Sequence, residues 1–335
     1  MMAPHAGSER RDAAGIPVPR HGVRAMTRAG APHPARAVSV VGGRGFLGSG
    51  IAGNLRAGGH QVRVLDRRDP VVDADGLAPG VAGCDWVVWA ASSINPMIAQ
   101  HDPDRVALDA KAFDTLLAGL AAAGARAPRV LLLSSGGTVY DETAPPPYAE
   151  DSPTAPRSAY GRAKLAFERR LLDAVPDAVV LRVANAYGPG QQVAPGQGVV
   201  AHWLHAAAAG EPLHLFGDPA VARDYVHVDD IADAARLVVE HDLRGEPVLN
   251  VGAGRATSLT ELLEAVQAAI DAPLTVERHE ARTFDARSTW LDCTRAERAL
   301  GWHPRVGLHD GIAGTWRAVL AAQHDAGVPS PPPTS

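Results

Sequence analysis

The residues best suited to chemistry are Tyr160 and Lys164, which form a Tyr-x-x-x-Lys pair. The surrounding segment favours a helix, and residues four apart on a helix share one face, so both side chains should point to one site. A free phenol has a pKa of about 10, and a neighbouring ammonium stabilises the phenolate. Tyr160 is therefore predicted to exchange a proton with a substrate hydroxyl. Lysine is rare in this chain, with only Lys111 besides Lys164, which makes a chance match less credible.

A second motif is glycine-rich. Gly42, Gly45 and Gly48 are spaced as Gly-x-x-Gly-x-x-Gly, directly after the apolar run Ala37–Val41 and at the start of a helix predicted over 45–57. Glycines let backbone amides approach a pyrophosphate, and the positive end of the helix attracts it. The order strand, glycine turn, helix predicts a dinucleotide site.

Asp66 follows a second strand, predicted over 61–65. A carboxylate there accepts hydrogen bonds from the adenosine ribose and favours NAD. Arg67 and Arg68 keep NADP as an alternative, because arginine can hold an extra phosphate. A later strand ends in small residues that would leave room for the cofactor. These are Ala90, Ala91 and Ser92.

Strands alternate with helices along the first half of the chain. This alternation predicts an α/β fold, a Rossmann-type doubly wound parallel sheet, with a smaller C-terminal substrate-binding lobe where the rhythm breaks. The predicted parts are a disordered tail (1–36), the NAD-binding domain (37–187, with 223–252 returning to it), the substrate lobe (188–222 and 253–324) and a second disordered tail (325–335).

Composition excludes several classes of protein. The net charge of −5 argues against a nucleic-acid-binding surface, and no apolar run is long enough to span a membrane. Cys84 and Cys293 are too few for a disulfide scaffold or zinc site, which suits a reducing cytoplasm. His202 and His205 suggest no metal ligand set, so no metal is expected.

Several further motifs accompany the tyrosine–lysine pair. Together they resemble the extended short-chain dehydrogenase/reductases, the NAD-dependent epimerase/dehydratase family that acts on nucleotide sugars. The resemblance spans residues 38–321. Its motifs are the glycine loop, Leu133–Tyr140, Tyr160 with Lys164, Leu181–Gly190, Arg223–Asp230, Leu249–Gly252 and Leu300–Pro304.

The resemblance implies roles for further residues. Lys164 would also hold the nicotinamide ribose, and a homodimer would form through the helices predicted over 104–123 and 158–172. His227 and Asp230 are expected to be structural. Additional cofactor contacts would come from Phe46, Leu47, Ser134 and Val183. Contacts with the nucleotide sugar would come from Asn185, Gln197, Arg223, Arg282 and Asp285.

The chain departs from the family pattern at Gly136, where the family has a Ser or Thr that bonds the reacting sugar oxygen. That hydroxyl must come from Ser135, Thr138 or water; Thr138 and Ser135 are the predicted catalytic partners. The span between Asp66 and the next strand is also short, so Asp73 is a candidate for the adenine pocket.

Several activities fit this scaffold. A 4-epimerase acting on a UDP- or dTDP-hexose needs only the tyrosine, the lysine and bound NAD, and it is the favoured prediction. An NAD(P)H-dependent 4-ketoreductase of dTDP-4-keto-deoxyhexoses is the alternative. A 4,6-dehydratase is disfavoured, because Gly137 and Thr138 stand where its acid/base pair would be. A non-catalytic NAD(P)-sensing protein is disfavoured because such proteins often lose the tyrosine or the lysine.

Overall fold

The structure is a computed structural model that describes residues 33–280 and 288–325. Among these residues, the strands in chain order are β1 Ala37–Val41, β2 Gln61–Leu65, β3 Val72–Asp73, β4 Gly76–Leu77, β5 Trp86–Trp89, β6 Arg129–Ser135, β7 Val179–Val183, β8 Asn185–Tyr187, β9 Leu213–Phe216, β10 Ala222–Arg223, β11 Tyr225–His227, β12 Val248–Val251, β13 Thr257–Ser258 and β14 Val276–His279.

The α-helices among these residues are α1 Phe46–Ala57, α2 Pro96–His101, α3 Pro103–Ala123, α4 Ala159–Ala174, α5 Val199–Ala209, α6 Val228–Glu240, α7 Leu259–Ala269, α8 Thr294–Leu300 and α9 Leu308–Asp325. Of these, α1, α3 and α4 differ from the predicted ranges 45–57, 104–123 and 158–172 only near their ends, whereas α2 and α8 were not predicted. No helix in the described ranges is both long and apolar enough to cross a membrane.

A six-stranded parallel sheet forms the centre, in the order β12-β7-β6-β5-β1-β2. Val38 and Val40 of β1 face one buried cluster with α1, α6 and α8. Val41 and Val87 face the other, with α3 and α4. Both faces of the sheet are therefore covered, as a parallel sheet requires. The predicted Rossmann-type α/β fold is confirmed.

The strand sequence is interrupted between β2 and β5, where the chain forms only the short antiparallel hairpin of β3 and β4. Val72 and Leu77 of this hairpin pack on α3 at Gly119, where an added Cβ would lie 2.7 Å from each of them. The carboxylate of Asp73 accepts a hydrogen bond from Asp75 N at 2.9 Å. β2 is consequently the edge of the sheet, and a role for Asp73 at the adenine stays a prediction.

A third buried cluster lies in the C-terminal part of the chain and is formed by α5, α7, α9 and the β9–β14 ribbon. Its centre includes Trp203, whose indole N–H donates to His214 O at 2.9 Å. This cluster corresponds in sequence to the predicted substrate lobe. The exact lobe boundaries stay a prediction, and residues 1–32 and 326–335 of the two predicted tails lie outside the described ranges.

Candidate functional site

The glycine loop follows β1 at the carboxyl edge of the sheet. Gly42 has φ +81°, and an added Cβ would lie 2.6 Å from Ala91 N. An added Cβ on Gly48 would run into Gly42 O. Gly42 N and Gly43 N both donate to Leu65 O, at 2.8 and 3.2 Å. Only glycine fits these contacts, and the loop is fixed to the end of β2.

The N-terminus of α1 opens from this loop. Its N-cap, Gly45, has no side chain to cap the helix. Ser49 N makes the first hydrogen bond of the helical type, to Gly45 O at 2.8 Å. The preceding amides, on Phe46, Leu47 and Gly48, are donors that a bound pyrophosphate can use. The loop and helix start therefore have the geometry expected of a phosphate-binding turn, and their contact with a cofactor stays a prediction.

Asp66 lies at the end of β2. Its carboxylate accepts a hydrogen bond from Arg68 N at 2.8 Å and pairs with Arg44 Nε at 3.2 Å. The hydrogen bond from the Arg68 backbone is the main cause that lowers the pKa of Asp66 below its usual value, and the arginines add to it. A carboxylate that stays ionised is a good acceptor for ribose hydroxyls. Arg67 is exposed beside it.

The floor beside the glycine loop is formed by the segment after β5. Ala90 N donates to Val41 O at 2.9 Å, and Ala91 lies directly against Gly42. Ser92 Oγ donates to Asp109 at 3.1 Å, so its hydroxyl is held by α3. The two alanines place no side chain larger than a methyl group beside the loop, and their contact with a cofactor stays a prediction.

A buried polar network lies under the site and joins β6, β7 and α4. Arg182 pairs with Glu168, with Nη2–Oε2 at 2.8 Å, and Ser134 Oγ also donates to Glu168. Arg182 Nη1 donates to the Tyr140 hydroxyl at 3.1 Å. Burial raises the pKa of Tyr140 to about 12, so it stays a neutral phenol. Since the side chain of Ser134 is engaged here, its predicted cofactor contact would use the main chain.

The predicted catalytic pair lies on the first turns of α4. The helix is capped by Ser158, whose Oγ accepts from Gly161 N at 3.0 Å. Lys164 is only 6% exposed, and its Nζ lies 5.6 Å from the centroid of the Tyr160 ring. Glu168, one helical turn after Lys164, forms its ion pair with Arg182 and not with the lysine. Within the described part of the chain the Lys164 ammonium has no hydrogen-bond or ion-pair partner, although most of the residue is buried, so its charge is available to a ligand.

The packing around the loop after β6 accounts for a glycine at position 136, where the family has a Ser or Thr. An added Cβ there would lie 2.6 Å from Leu291 Cδ1 and 2.9 Å from Arg182 O. Leu291 therefore fills the space that a Ser or Thr at this position would need. Thr138 lies nearby, with its carbonyl against Gly161, the residue after Tyr160.

Two hydroxyls of this loop remain as partners for a sugar oxygen. Thr138 Oγ1 is buried and has no hydrogen-bond partner among the described residues. Ser135 is half-buried at the end of β6. Val183 N–H and C=O belong to the neighbouring strand, and Val183 O accepts from Gly136 N at 2.7 Å. The predicted catalytic and cofactor residues Ser135, Thr138 and Val183 thus meet at one strand edge.

The predicted substrate residues are only partly brought together. Asn185 Nδ2 donates to Asp224 O at 2.9 Å, and its amide lies 3.8 Å from the Cβ position of Gly137. Arg223 is half-buried on β10, where its Nη1 donates to Ala222 O at 3.0 Å. Gln197 is exposed in the turn before α5, with its N–H on Ala194 O at 3.2 Å. The remaining two, Arg282 and Asp285, lie outside the described residues.

Asp224 is a structural residue that the sequence reasoning missed. It is 1% exposed, and its carboxylate accepts from Ala253 N at 2.6 Å and from Gly254 N and Leu291 N at 3.2 Å each. Burial raises its pKa to about 6 despite these bonds. The carboxylate ties the segments after β12 and before α8 to β10. Its position next to Arg223 in a family motif was the available signal.

His227 and Asp230 have the structural roles expected of them. His227 caps α6, with Nδ1 accepting from Asp229 N at 3.3 Å, and burial lowers the pKa of its imidazole. The Asp230 carboxylate accepts from Arg305 N at 2.9 Å and Val306 N at 3.1 Å. The Asp230 carboxylate thereby fixes the chain that follows α8.

The histidines show one arrangement that the sequence did not predict. His202 and His205 each use one ring nitrogen to bond to a main-chain oxygen, of Ala194 and Ala201 respectively. A different group converges on the β9–β14 ribbon: His214, Glu277 and His279. The group forms because β9 and β14, which are far apart in sequence, pair in parallel. The spacing of these residues in the sequence therefore does not predict it.

Comparison with known proteins agrees with this geometry. The sequence profile of the NAD dependent epimerase/dehydratase family matches residues 38–252. A UDP-glucose 4-epimerase of Mycolicibacterium smegmatis is 35% identical over 305 residues, covering 82% of this chain and 96% of the relative. A dTDP-6-deoxy-L-talose 4-dehydrogenase (NAD(P)(+)) of Kitasatospora kifunensis is 33% identical over 321 residues, covering 87% and 98%.

The fold is shared with solved structures as well. The UDP-glucose 4-epimerase of Thermus thermophilus in complex with NAD has a TM-score of 0.75 and 29% identity, covering 85% of this chain and 99% of that one. The chain belongs to the NAD-dependent epimerase/dehydratase family of extended short-chain dehydrogenases, as the resemblance indicated. It is an NAD-dependent enzyme of nucleotide-sugar chemistry.

The residues present fit NAD as the cofactor of this family. The cradle of Gly42 and Gly48 would be filled by any Cβ, and the amides that open α1 are placed for phosphates. The lowered pKa of Asp66 suits it to accept hydrogen bonds from a ribose, and the largely buried Lys164 lies beside Tyr160 on α4. Together they fit both ends of a dinucleotide.

Proposed function

We propose that the protein is a nucleotide-sugar 4-epimerase that acts on a UDP- or dTDP-hexose. The observation that carries this proposal is the pair on α4, where the largely buried Lys164 places its ammonium beside the Tyr160 ring without another protein partner among the residues described. An epimerase of this type needs these two groups and a retained cofactor. The similarity to an M. smegmatis UDP-glucose 4-epimerase supports the same activity.

The chemistry follows from the positions of these groups. Bound NAD would supply a hydride acceptor that later returns the hydride. Tyr160 takes the proton of the sugar C4 hydroxyl and gives it back after the 4-keto sugar has turned its other face. The positive charge of Lys164 stabilises the phenolate while Tyr160 holds no proton. Thr138 or Ser135 donates a hydrogen bond to the C4 oxygen and fixes its position.

The reaction requires that the sugar be held loosely and the nucleotide firmly. Asn185 lies across the loop from Gly137, and Arg223 lies one residue before the buried Asp224. We assign the diphosphate to this side of the site, because guanidinium groups bind phosphates bidentately. Arg282, Asp285 and Gln197 are proposed as further contacts with the nucleotide.

A 4-ketoreductase is the second candidate, and the 33% identical 4-dehydrogenase of K. kifunensis favours it. In that case Tyr160 donates its proton to a 4-keto sugar, and the cofactor leaves in oxidised form. Arg67 and Arg68 next to Asp66 would then serve NADP. The two functions differ in one requirement, because only the 4-ketoreductase needs an external reductant.

The experiment that separates them uses the purified enzyme and a panel of UDP- and dTDP-hexoses. Interconversion of C4 epimers without added reductant supports the epimerase; turnover of 4-keto sugars only with NADPH supports the reductase. Tyr160→Phe should abolish either activity and leave NAD binding intact. Tyr148→Phe is the matched control, since it removes a phenol that bonds Ala144 O at 3.1 Å. Turnover by Tyr160→Phe at the rate of the unmodified enzyme would reject the mechanism.

We also propose that the protein forms a homodimer in the cytoplasm. The faces of α3 and α4 are the predicted interface, and Leu108 on α3 is 61% exposed. A large apolar side chain on an exposed helix face suits burial against a second chain. Cys84 and Cys293 are both free thiols, which fits a reducing compartment.

A further inference from the structure

The ribbon of β9 and β14 carries a cluster of side chains to which the sequence analysis assigned no role. His214 is paired in register with Glu277, and Phe216 with His279. Leu213 and Leu215 point into the core of the lobe. Because side chains alternate across a strand, the two histidines and the glutamate share the opposite, exposed face.

The three groups present their ligand atoms to one point. His214 Nδ1 lies 2.9 Å from His279 Nε2 and 3.4 Å from Glu277 Oε2, and His279 Nε2 lies 3.9 Å from the same oxygen. With metal–ligand bonds of about 2.0–2.2 Å, tetrahedral geometry separates neighbouring ligand atoms by about 3.3 Å. The observed separations bracket that value, so a metal needs only small side-chain movements.

The surroundings hold these rings in place. Phe216 stacks on the His279 ring, with 4.8 Å between centroids and 23° between planes. Backbone hydrogen bonds close the ribbon at both ends, from Leu213 N to Thr275 O at 2.8 Å and from Gly217 N to His279 O at 3.0 Å. The ligand positions are therefore fixed by two paired strands, which reduces the entropy lost when a metal binds.

We propose that His214, Glu277 and His279 form a binding site for one late divalent transition-metal ion of the Zn²⁺ class. Two imidazoles and one carboxylate are the donor set that zinc accepts, with water as the fourth ligand. Hard cations such as Mg²⁺ and Ca²⁺ prefer all-oxygen sites and are not expected here. The metal would cross-link β9 to β14 and so stabilise this part of the lobe. None of the three residues is among the proposed catalytic or substrate-binding residues, so this proposal does not depend on the proposed function.

The test uses the full chain without a polyhistidine tag, stripped with a chelator and dialysed. Zn²⁺ binding is measured by calorimetry and by metal analysis after equilibrium dialysis. His214→Ala and His279→Ala are compared with His309→Ala, which removes an exposed histidine on α9. Circular dichroism establishes that each variant is folded.

We expect one Zn²⁺ per chain in the unmodified protein and in His309→Ala. Each ligand variant should weaken binding by at least about tenfold, the loss that even outer partners of a metal site cause. Zn²⁺ should raise the melting temperature of the unmodified protein, and Mg²⁺ should not. Equal Zn²⁺ affinity in the ligand variants, or no stoichiometric binding by the unmodified protein, would overturn the proposal.

Discussion

The cradle of the cofactor depends on the missing side chain of Gly48. A Cβ at this position runs into Gly42 O and approaches Gly42 C and Gly43 Cα to 2.8 Å. Gly42 cannot move away, because its own N–H is bonded to Leu65 O and its Cα side faces Ala91. Gly48→Ala must therefore displace the glycine loop from α1.

The size of the effect follows from that contact. Overpacking of this kind costs about 1–3 kcal/mol, and if the loop has to return to its native position to bind NAD, affinity falls by about fivefold to 150-fold. Gly53→Ala is the control on the same helix, since an added Cβ there meets nothing within 4 Å. Both variants gain the same helix propensity, roughly 0.5–1 kcal/mol, so the difference between them isolates the collision.

The assay is NAD titration of the cofactor-free enzyme together with urea unfolding. Gly53→Ala should bind NAD like the unmodified protein and unfold at slightly higher urea. Gly48→Ala should bind NAD more weakly and have a lower free energy of unfolding than Gly53→Ala. Equal NAD affinity in the two variants would refute the assignment of this loop as the cofactor cradle.

Three further predictions address other parts of the account. The kcat values of Thr138→Val and Ser135→Ala should be compared, with nucleotide affinity expected to be unchanged in both. The variant that lacks the hydroxyl bonded to the sugar oxygen should have a kcat about 10²–10³-fold lower, as after removal of one oxyanion donor. An unchanged kcat in both variants would identify water as the donor. The pKa of Asp224 is raised to about 6 in the folded protein. Between the lower pKa of the unfolded chain and pH 6, the folded protein therefore binds one more proton at this site than the unfolded chain does. Protonation of Asp224 stabilises the folded state at low pH, and this stabilisation is lost as the pH rises through about 6. The free energy of unfolding of the unmodified protein relative to Asp224→Asn should therefore fall between pH 4 and 7, and a constant difference in urea unfolding would contradict the burial argument. Leu108→Glu should shift the sedimentation of the protein from dimer to monomer, whereas a monomeric unmodified protein would reject the proposed dimer.

Much of the fold was predictable because its signals are local. The alternation of apolar strands with helices predicted β1 and β2 at their observed bounds, and the Gly42–Gly48 spacing located the loop. Tyr160 and Lys164 are four residues apart on one helix, so their common orientation follows from the helix itself. A short-range pattern is enough for such features.

The features that were missed depend on pairing between distant parts of the chain. Leu291 occupies the space next to Gly136, although more than a hundred residues separate them, so the absent hydroxyl had no explanation in the sequence. Asp224 acquires its role from amides after β12 and before α8. His214 and His279 become neighbours only through the register of β9 and β14. Composition and spacing hold no information on such contacts.

The most direct test of the central claim follows hydrogen at the sugar C4. The enzyme with its bound cofactor is incubated with UDP-glucose or dTDP-glucose deuterated at C4, without added reductant, and the products are examined by NMR. The proposed mechanism predicts the C4 epimer with deuterium retained at C4, and no epimer from Tyr160→Phe. Loss of the label to solvent during epimerisation, or turnover that requires NADPH and a 4-keto sugar, would contradict it.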